Sequence, residues 1–435
     1  MTVILTTRST MTQNIASTNN FLEYLRGFFR LFVLTYLFFY MFPYPLSDIP
    51  VVGDLFIYYE RATEFLTLWF GHTVLQITSL EKMEITGSGD TTFDYVKLLV
   101  TAVASIFISA SLYVCGFNKN RDNQLHVFIT TYARYYVGLN LITYGLAKWH
   151  NGQFPFPDIS RMEQTFGSSS PMGLLWTFMG YSKTYKIFTG LCEILGGVLL
   201  FFRRTTVFGS LVSLAVMTNV VVLNFAYDVP VKLFSTHLAL ISFFIFYPNL
   251  KTLFNFFILN KSSTLSVAPI IFPNKRVRFW RIILKSVILM GFPALMIVEV
   301  FKNEEAPPKH KLNGAYFTQP YLLKINNSTY QPPDTALWKK LIIEDSYSQI
   351  VFANDQSEFY QLTVDTATQT IHLSSYNDTT EKYALKYQQL SDSVFLMAGQ
   401  YKSDSVSVLL KRKELSDYPL VKRGFHWINE YPYNR

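Results

Sequence analysis

Cysteine is nearly missing from this chain: there are two in 435 residues, Cys115 and Cys192, both inside apolar runs. Two such thiols supply neither a disulfide framework nor a thiolate metal site, and they read as small buried hydrophobes. Charge is scarce as well. Asp, Glu, Lys and Arg make up 16% of the residues, where a soluble domain carries about 25%. Also missing are a Walker loop, a GxGxxG turn ahead of a helix, HExxH, CxxC, CxxCH and a GxSxG elbow, which argues against nucleotide hydrolysis and covalently attached haem. No basic arm is present, so nucleic acid is not an expected partner, and no metal site is expected.

What is present is apolar. Half the residues are hydrophobic and 17% are aromatic. Residues 302–435 hold 15 basic and 15 acidic groups, so the net charge of +8 belongs to the first 301 residues. A basic excess confined to the hydrophobic part is the mark of membrane topology. The pattern predicts a polytopic α-helical membrane protein with about seven transmembrane helices, at 26–45, 97–117, 124–147, 184–202, 205–227, 231–247 and 280–301. Each run is long enough to cross a hydrocarbon core at about 1.5 Å per residue. Residues 55–70, with Glu60, Arg61 and Glu64, read as an amphipathic helix lying on the membrane.

Alternate connections carry the basic residues: Arg8 and Arg26, Lys119 and Arg121, Arg203 and Arg204, then Lys251 to Arg281. The positive-inside rule then makes residues 1–25 a cytoplasmic segment in the cell membrane and puts the C-terminal domain outside. On this reading 26–130 hold the first two spans with an external amphipathic segment, and 251–303 a basic interfacial connection and the last span. From about 304 the composition turns to Ser, Thr, Asn, Asp, Lys and Tyr, in short alternating runs separated by turn residues. That predicts an extracytoplasmic domain over 304–435 of seven or eight antiparallel strands, a β-barrel or sandwich, with Gly424-Phe425-His426-Trp427 as its closing element.

Ionisable residues inside apolar spans are costly and therefore informative. Arg134 and Glu193 lie about equally far from the cytoplasmic ends of their spans, and an intramembrane pair is expected between them. Gly138 and Gly145 share a face with Arg134 and should let another helix approach. Toward the outer side, Asn140, Tyr144, Lys148, Asn224, Asp228, Lys232 and His237 are expected to line a polar pocket, with the loop 152–173 as its lid. The alternative is interfacial anchors and interhelical hydrogen bonds.

The stretch Phe188–Met217, an apolar helix with a central Glu, small residues after it, a basic turn and a second small-residue helix, resembles the signature of DoxX-like membrane proteins. Arg134–Trp149 is similar to that family's Arg-containing helix. The resemblance covers residues 131–250, a four-helix core, and rests on Arg134, Gly145, Lys148, Glu193, Gly196 and Gly197. It implies a membrane protein linked to quinone-coupled oxidation, or a subunit of a membrane oxidoreductase, with quinone as the cofactor and the lipid bilayer as the other partner. A non-enzymatic binding or assembly protein, recognising a partner or small molecule through its β-domain, is the competing expectation.

Overall fold

The computed structural model describes residues 2–49, 51–82, 89–115, 119–149, 153–265, 312–319, 337–345, 347–376, 381–402 and 404–434, with isolated residues between 267 and 329. In lipid a helix satisfies every backbone group internally, and each of the first six expected spans is largely helical among the described residues. Helices α1 (Thr2–Met41), α2 (Ile57–Trp69), α3 (Thr92–Val114), α4 (Lys119–Trp149), α5 (Ile159–Glu163), α6 (Pro171–Tyr181), α7 (Lys183–Phe201), α8 (Thr206–Ala226), α9 (Lys232–Phe246) and α10 (Leu250–Phe257) follow in order. Five stretches are long and apolar enough to cross a membrane among the described residues: Leu22–Asp48, Thr92–Val114, Lys183–Phe201, Thr206–Ala226 and Lys232–Phe257. Helix α4, expected as the third span, is a continuous helix of 31 residues that stays out of that set because Arg134, Asn140 and several Tyr and Thr lower its hydropathy. The seventh expected span, 280–301, falls largely outside the described residues. The segment at 55–70 is helical, as α2. Cys115 is exposed and Cys192 half-buried, so the expected burial of both fails.

The chain divides into two compact units. Met1–Gln153 with Ser182–Val298 form the helical unit. Its core is built by Leu34, Leu37 and Met41 of α1, Ile129, Val137 and Leu141 of α4, Leu200 of α7 and Leu238, Ile241 and Ile245 of α9. Two helix starts in this unit are satisfied by acidic side chains. Thr91 and Asp94 form a capping box on α3, and the Asp90 carboxylate accepts the Lys232 and Leu233 backbone N–H groups at 2.7 and 2.9 Å at the start of α9.

Phe154–Tyr181 with Glu299–Arg435 form the second unit. Its strands are β1 (Gly314–Thr318), β2 (Lys324–Ile325), β3 (Ser328–Thr329), β4 (Trp338–Ile343), β5 (Tyr347–Phe352), β6 (Ser357–Asp365), β7 (Thr370–Ser375), β8 (Lys382–Gln389), β9 (Val394–Tyr401) and β10 (Asp404–Lys413). Eight of them make a closed antiparallel barrel in the order β1-β10-β9-β8-β7-β6-β5-β4, while β2 and β3 pair separately. Closure comes from β1, which pairs with β10 through Ala315–Lys413 and with β4 through Ala315–Ile342. The segment at 424–427, expected as the closing element, lies outside the barrel with Phe425 and Trp427 exposed.

Eight strands leave an interior that side chains fill, here Tyr316, Trp338, Leu341, Ile350, Leu362, Leu373, Leu385, Met397 and Leu410 among others. Strand β4 breaks simple alternation: Leu341, Ile342 and Ile343 are all buried. Ile342 faces outward with Ala315, and both are covered by Ile159 of α5 and by Tyr418. The insert between α4 and α7 therefore belongs to the barrel unit and supplies a second, external core to it.

Candidate functional site

Two places gather polar groups, one in each unit. In the helical unit the seam is α4 against α7. Glycines set the spacing: a Cβ on Gly145 would lie 2.5 Å from the Gly190 carbonyl oxygen, and one on Gly197 would lie 2.6 Å from that of Gly138. Real Cβ atoms do not come so close, so these helices touch backbone to backbone, as small residues permit. Gly138 and Gly145, and Gly190 and Gly197, are each seven residues apart, which keeps one seam in contact over two turns.

That register decides which charges meet. Glu193 pairs with Lys148: Nζ donates to Oε1 at 2.9 Å and to Oε2 at 2.8 Å, and both side chains are buried. The expected Arg134–Glu193 pair is not formed. Arg134 instead donates through Nε and Nη2 to the Leu200 carbonyl oxygen, at 3.0 and 2.8 Å. Leu200 lies in the last turn of α7, where carbonyls lack intrahelical donors and a cation is favoured by the dipole. The physical reason is direction. Helical side chains lean toward the N-terminus of their own helix. In the antiparallel pair Lys148 and Glu193 lean toward each other, whereas Arg134 and Glu193 lean apart from backbone levels already about 10 Å separated along the axis.

The other expected pocket residues occupy separate contacts. His237 Nε2 lies 2.7 Å from the Tyr36 hydroxyl, Nδ1 lies 2.7 Å from the Leu233 carbonyl oxygen, and the ring stacks on Tyr40 with centroids 4.0 Å apart. Asn224 Nδ2 donates to Ser235 Oγ at 3.0 Å. Lys232 donates to Asp228, a largely exposed carboxylate, at 2.8 Å. Asn140 Nδ2 donates to the Tyr136 carbonyl oxygen at 2.8 Å, while Tyr144 packs on Phe234 and lies under the Lys148 ammonium. These contacts latch α1, α4 and α8 to α9.

In the second unit the insert and the barrel enclose a polar groove of about 750 Å³. Asp158 caps α5 by accepting the Arg161 backbone N–H at 2.7 Å, and its other oxygen accepts the Tyr347 hydroxyl at 3.1 Å. The Ile159 backbone N–H donates to Glu344 Oε1 at 2.7 Å, and Ser160 Oγ donates to Gln349 Oε1 at 2.9 Å. At the end of α5 Glu163 receives the Tyr418 hydroxyl at 2.7 Å and the ammonium groups of Lys340 and Lys413 at 3.1 Å each. Burial pushes Glu163 upward, but the three donors outweigh it and hold the carboxyl below the ordinary glutamate range. Burial pushes Glu344 up, and there it wins.

Three acids (Asp158, Glu163, Asp355) and three bases (Arg161, Lys339, Lys340) line the groove, with Ser160, Gln349, Ser357 and the half-exposed ring of Phe359. Sequence reasoning missed this site. The Asp-Ile-Ser-Arg-Met-Glu run after Pro157 carried a helix-start signal in its Asp, but nothing local ties Glu163 to lysines about 180 and 250 residues later. Among the described residues no group of three or more His, Cys, Asp or Glu is placed to hold a metal ion.

No family model matches the chain, and no solved structure matches it. Among curated proteins it is similar to the "Uncharacterized protein YwoB" of Bacillus subtilis (strain 168), with 35% identity over 105 residues, 24% of this chain and 65% of that protein, so that the match spans somewhat under two thirds of the relative's length.

Proposed function

We propose that this is a membrane-anchored binding protein whose barrel unit holds the ligand and whose helices, a DoxX-like core among them, fix that unit to the cell membrane. The observation that carries the reading is the groove between α5 and strands β4 to β6. Its acids and bases balance three to three, so it favours a neutral ligand over a charged one. Ser160, Gln349 and Ser357 offer hydrogen bonds beside the face of Phe359. A neutral, hydroxyl-rich chain such as an oligosaccharide fits that mixture of amide, hydroxyl and aromatic surface. The test is binding of a neutral oligosaccharide panel to the full chain in nanodiscs, with Phe359→Ala as the control. Losing a ring contact of about 1 kcal/mol weakens binding about fivefold. An empty panel, or binding indifferent to Phe359→Ala, refutes the reading.

The same reading puts the N-terminus in the cytoplasm and the barrel outside. Residues 158–163 and the barrel belong to one unit, which supports a common side for both. Helices α7, α8 and α9 lie between them, so a common side requires a further crossing, and the apolar run at 280–301 supplies it. A second reading, quinone-linked oxidoreduction, is favoured by the Tyr36–His237–Tyr40 stack of hydrogen-bonding rings between α1 and α9. Solvent extraction of the purified protein tests it: recovery of a stoichiometric isoprenoid quinone supports it, and lipid alone removes it.

A further inference from the structure

After β10 the chain makes a single helical turn, Pro419–Lys422, and then runs as coil to residue 434. The turn is tied to the barrel through Tyr418 and Val421, whereas the large apolar side chains beyond it are bare. Phe425 is 77% exposed, Trp427 91%, Ile428 78% and Tyr431 85%. The segment is nevertheless organised. Arg423 Nη2 donates to Asn429 Oδ1 at 2.5 Å, Asn429 Nδ2 donates to the His426 carbonyl oxygen at 3.1 Å, and the Arg423 guanidinium sits 4.4 Å from the centre of the Tyr433 ring. Phe425 and Trp427 meet edge to face with centroids 5.2 Å apart, after a left-handed Gly424. These contacts hold the backbone in a turn and leave the large apolar groups facing outward.

We propose that residues 423–433 form an interfacial anchor that seats the barrel unit on the lipid headgroup region of the bilayer. The chemistry suits that layer more than a protein groove. Trp and Tyr rings, apolar with one polar edge, concentrate at the membrane–water boundary. Phe425 and Ile428 supply the apolar insertion, and Lys422 and Arg423 flank it with charge complementary to anionic headgroups. A bilayer is also at hand. The apolar run at 280–301 and β1 are joined by about a dozen residues, which reach at most about 40 Å. The anchor is independent of the groove's ligand and of which leaflet is involved.

The test uses the full chain in nanodiscs of phosphatidylcholine and phosphatidylglycerol. The emission of Trp427 is obtained as the difference between the wild type and Trp427→Phe, which removes an indole without touching a packed core. The anchor predicts blue-shifted difference emission that loses most of its intensity when the lipids are brominated high on the acyl chain. It also predicts protection from aqueous acrylamide. Red-shifted emission quenched by acrylamide and untouched by brominated lipid overturns the proposal. So does protection that appears only with two copies in one disc, because the segment then covers a second copy. If Trp427→Phe lowers the yield, an environment-sensitive dye on Tyr431→Cys, with Cys115 and Cys192 replaced by Ser, reads the same environment.

Discussion

Replacing Glu163 by Ala should release the insert from the barrel. Its carboxylate accepts from Lys340, Lys413 and Tyr418 and is only 11% exposed. Breaking a buried pair by removing one partner costs about 3–5 kcal/mol. Lys413 is about one third exposed and its share is screened by water, so the lower end of that range applies. A loss of about 3 kcal/mol multiplies the open fraction by about 100. The amide of Ile159 reports it directly, since its hydrogen bond to Glu344 crosses from insert to barrel. Its hydrogen exchange should quicken by about two orders of magnitude while amides in β7 and β8 keep their protection. The effect should also be pH-dependent. The folded-state carboxyl of Glu163 titrates below the unfolded one. Its stabilisation is therefore complete above the ordinary glutamate range and drains away as pH falls through the lower, folded value, so wild-type docking loosens only once the pH is below that range. Glu344 has the opposite sign: its raised carboxyl favours folding at low pH and loses that contribution as pH rises. Unchanged exchange at Ile159 in Glu163→Ala at neutral pH would refute the reasoning.

Other outcomes are equally definite. Lys148→Met and Glu193→Gln should each lower the thermal midpoint in detergent more than the double variant does, since each single change strands a buried partner; additive losses would separate the two residues. Gly145→Leu should abolish the folded yield, because its side chain must enter the space of the Gly190 carbonyl and Ile194, whereas Gly167→Leu, with open space around it, should not. Thiol labelling of Phe166→Cys and Leu420→Cys in sealed vesicles should occur from one common side, opposite to Arg204→Cys; labelling of the first two from opposite sides would break the span count.

Hydropathy made the spans legible because lipid leaves a helix little alternative, and alternation made the strands legible because each barrel strand has one face inward. The pattern failed at β4, where Leu341, Ile342 and Ile343 are buried in succession because a distant segment covers the outer face. It also passed over β1, whose Gly-Ala-Tyr-Phe-Thr is too short to announce a closing strand. At the seam, residue types were legible but partners were not. Counting depth found Arg134 and Glu193, yet the α4–α7 register and the lean of helical side chains gave the carboxylate to Lys148. Glu163 lay beyond reach, since its meaning rests on donors from β4, β10 and the turn at Tyr418.

The external core over Ala315 and Ile342 has a consequence for how the protein is made. Ile159 leaves the ribosome 156 residues before Ala315 and 183 before Ile342, and on the proposed topology four crossings, α7, α8, α9 and the apolar run at 280–301, are still to be made between them. The barrel unit thus has a long-range contact that closes late, in the manner of high contact-order folds. On the proposed topology the external core can close only once those crossings have been made. A chain that crossed the bilayer once too few times would leave Ile159 and Ile342 on opposite faces, with an uncovered apolar strand. On the proposed topology the insert would in this way act as a proofreader, marking misthreaded copies by the surface they cannot bury.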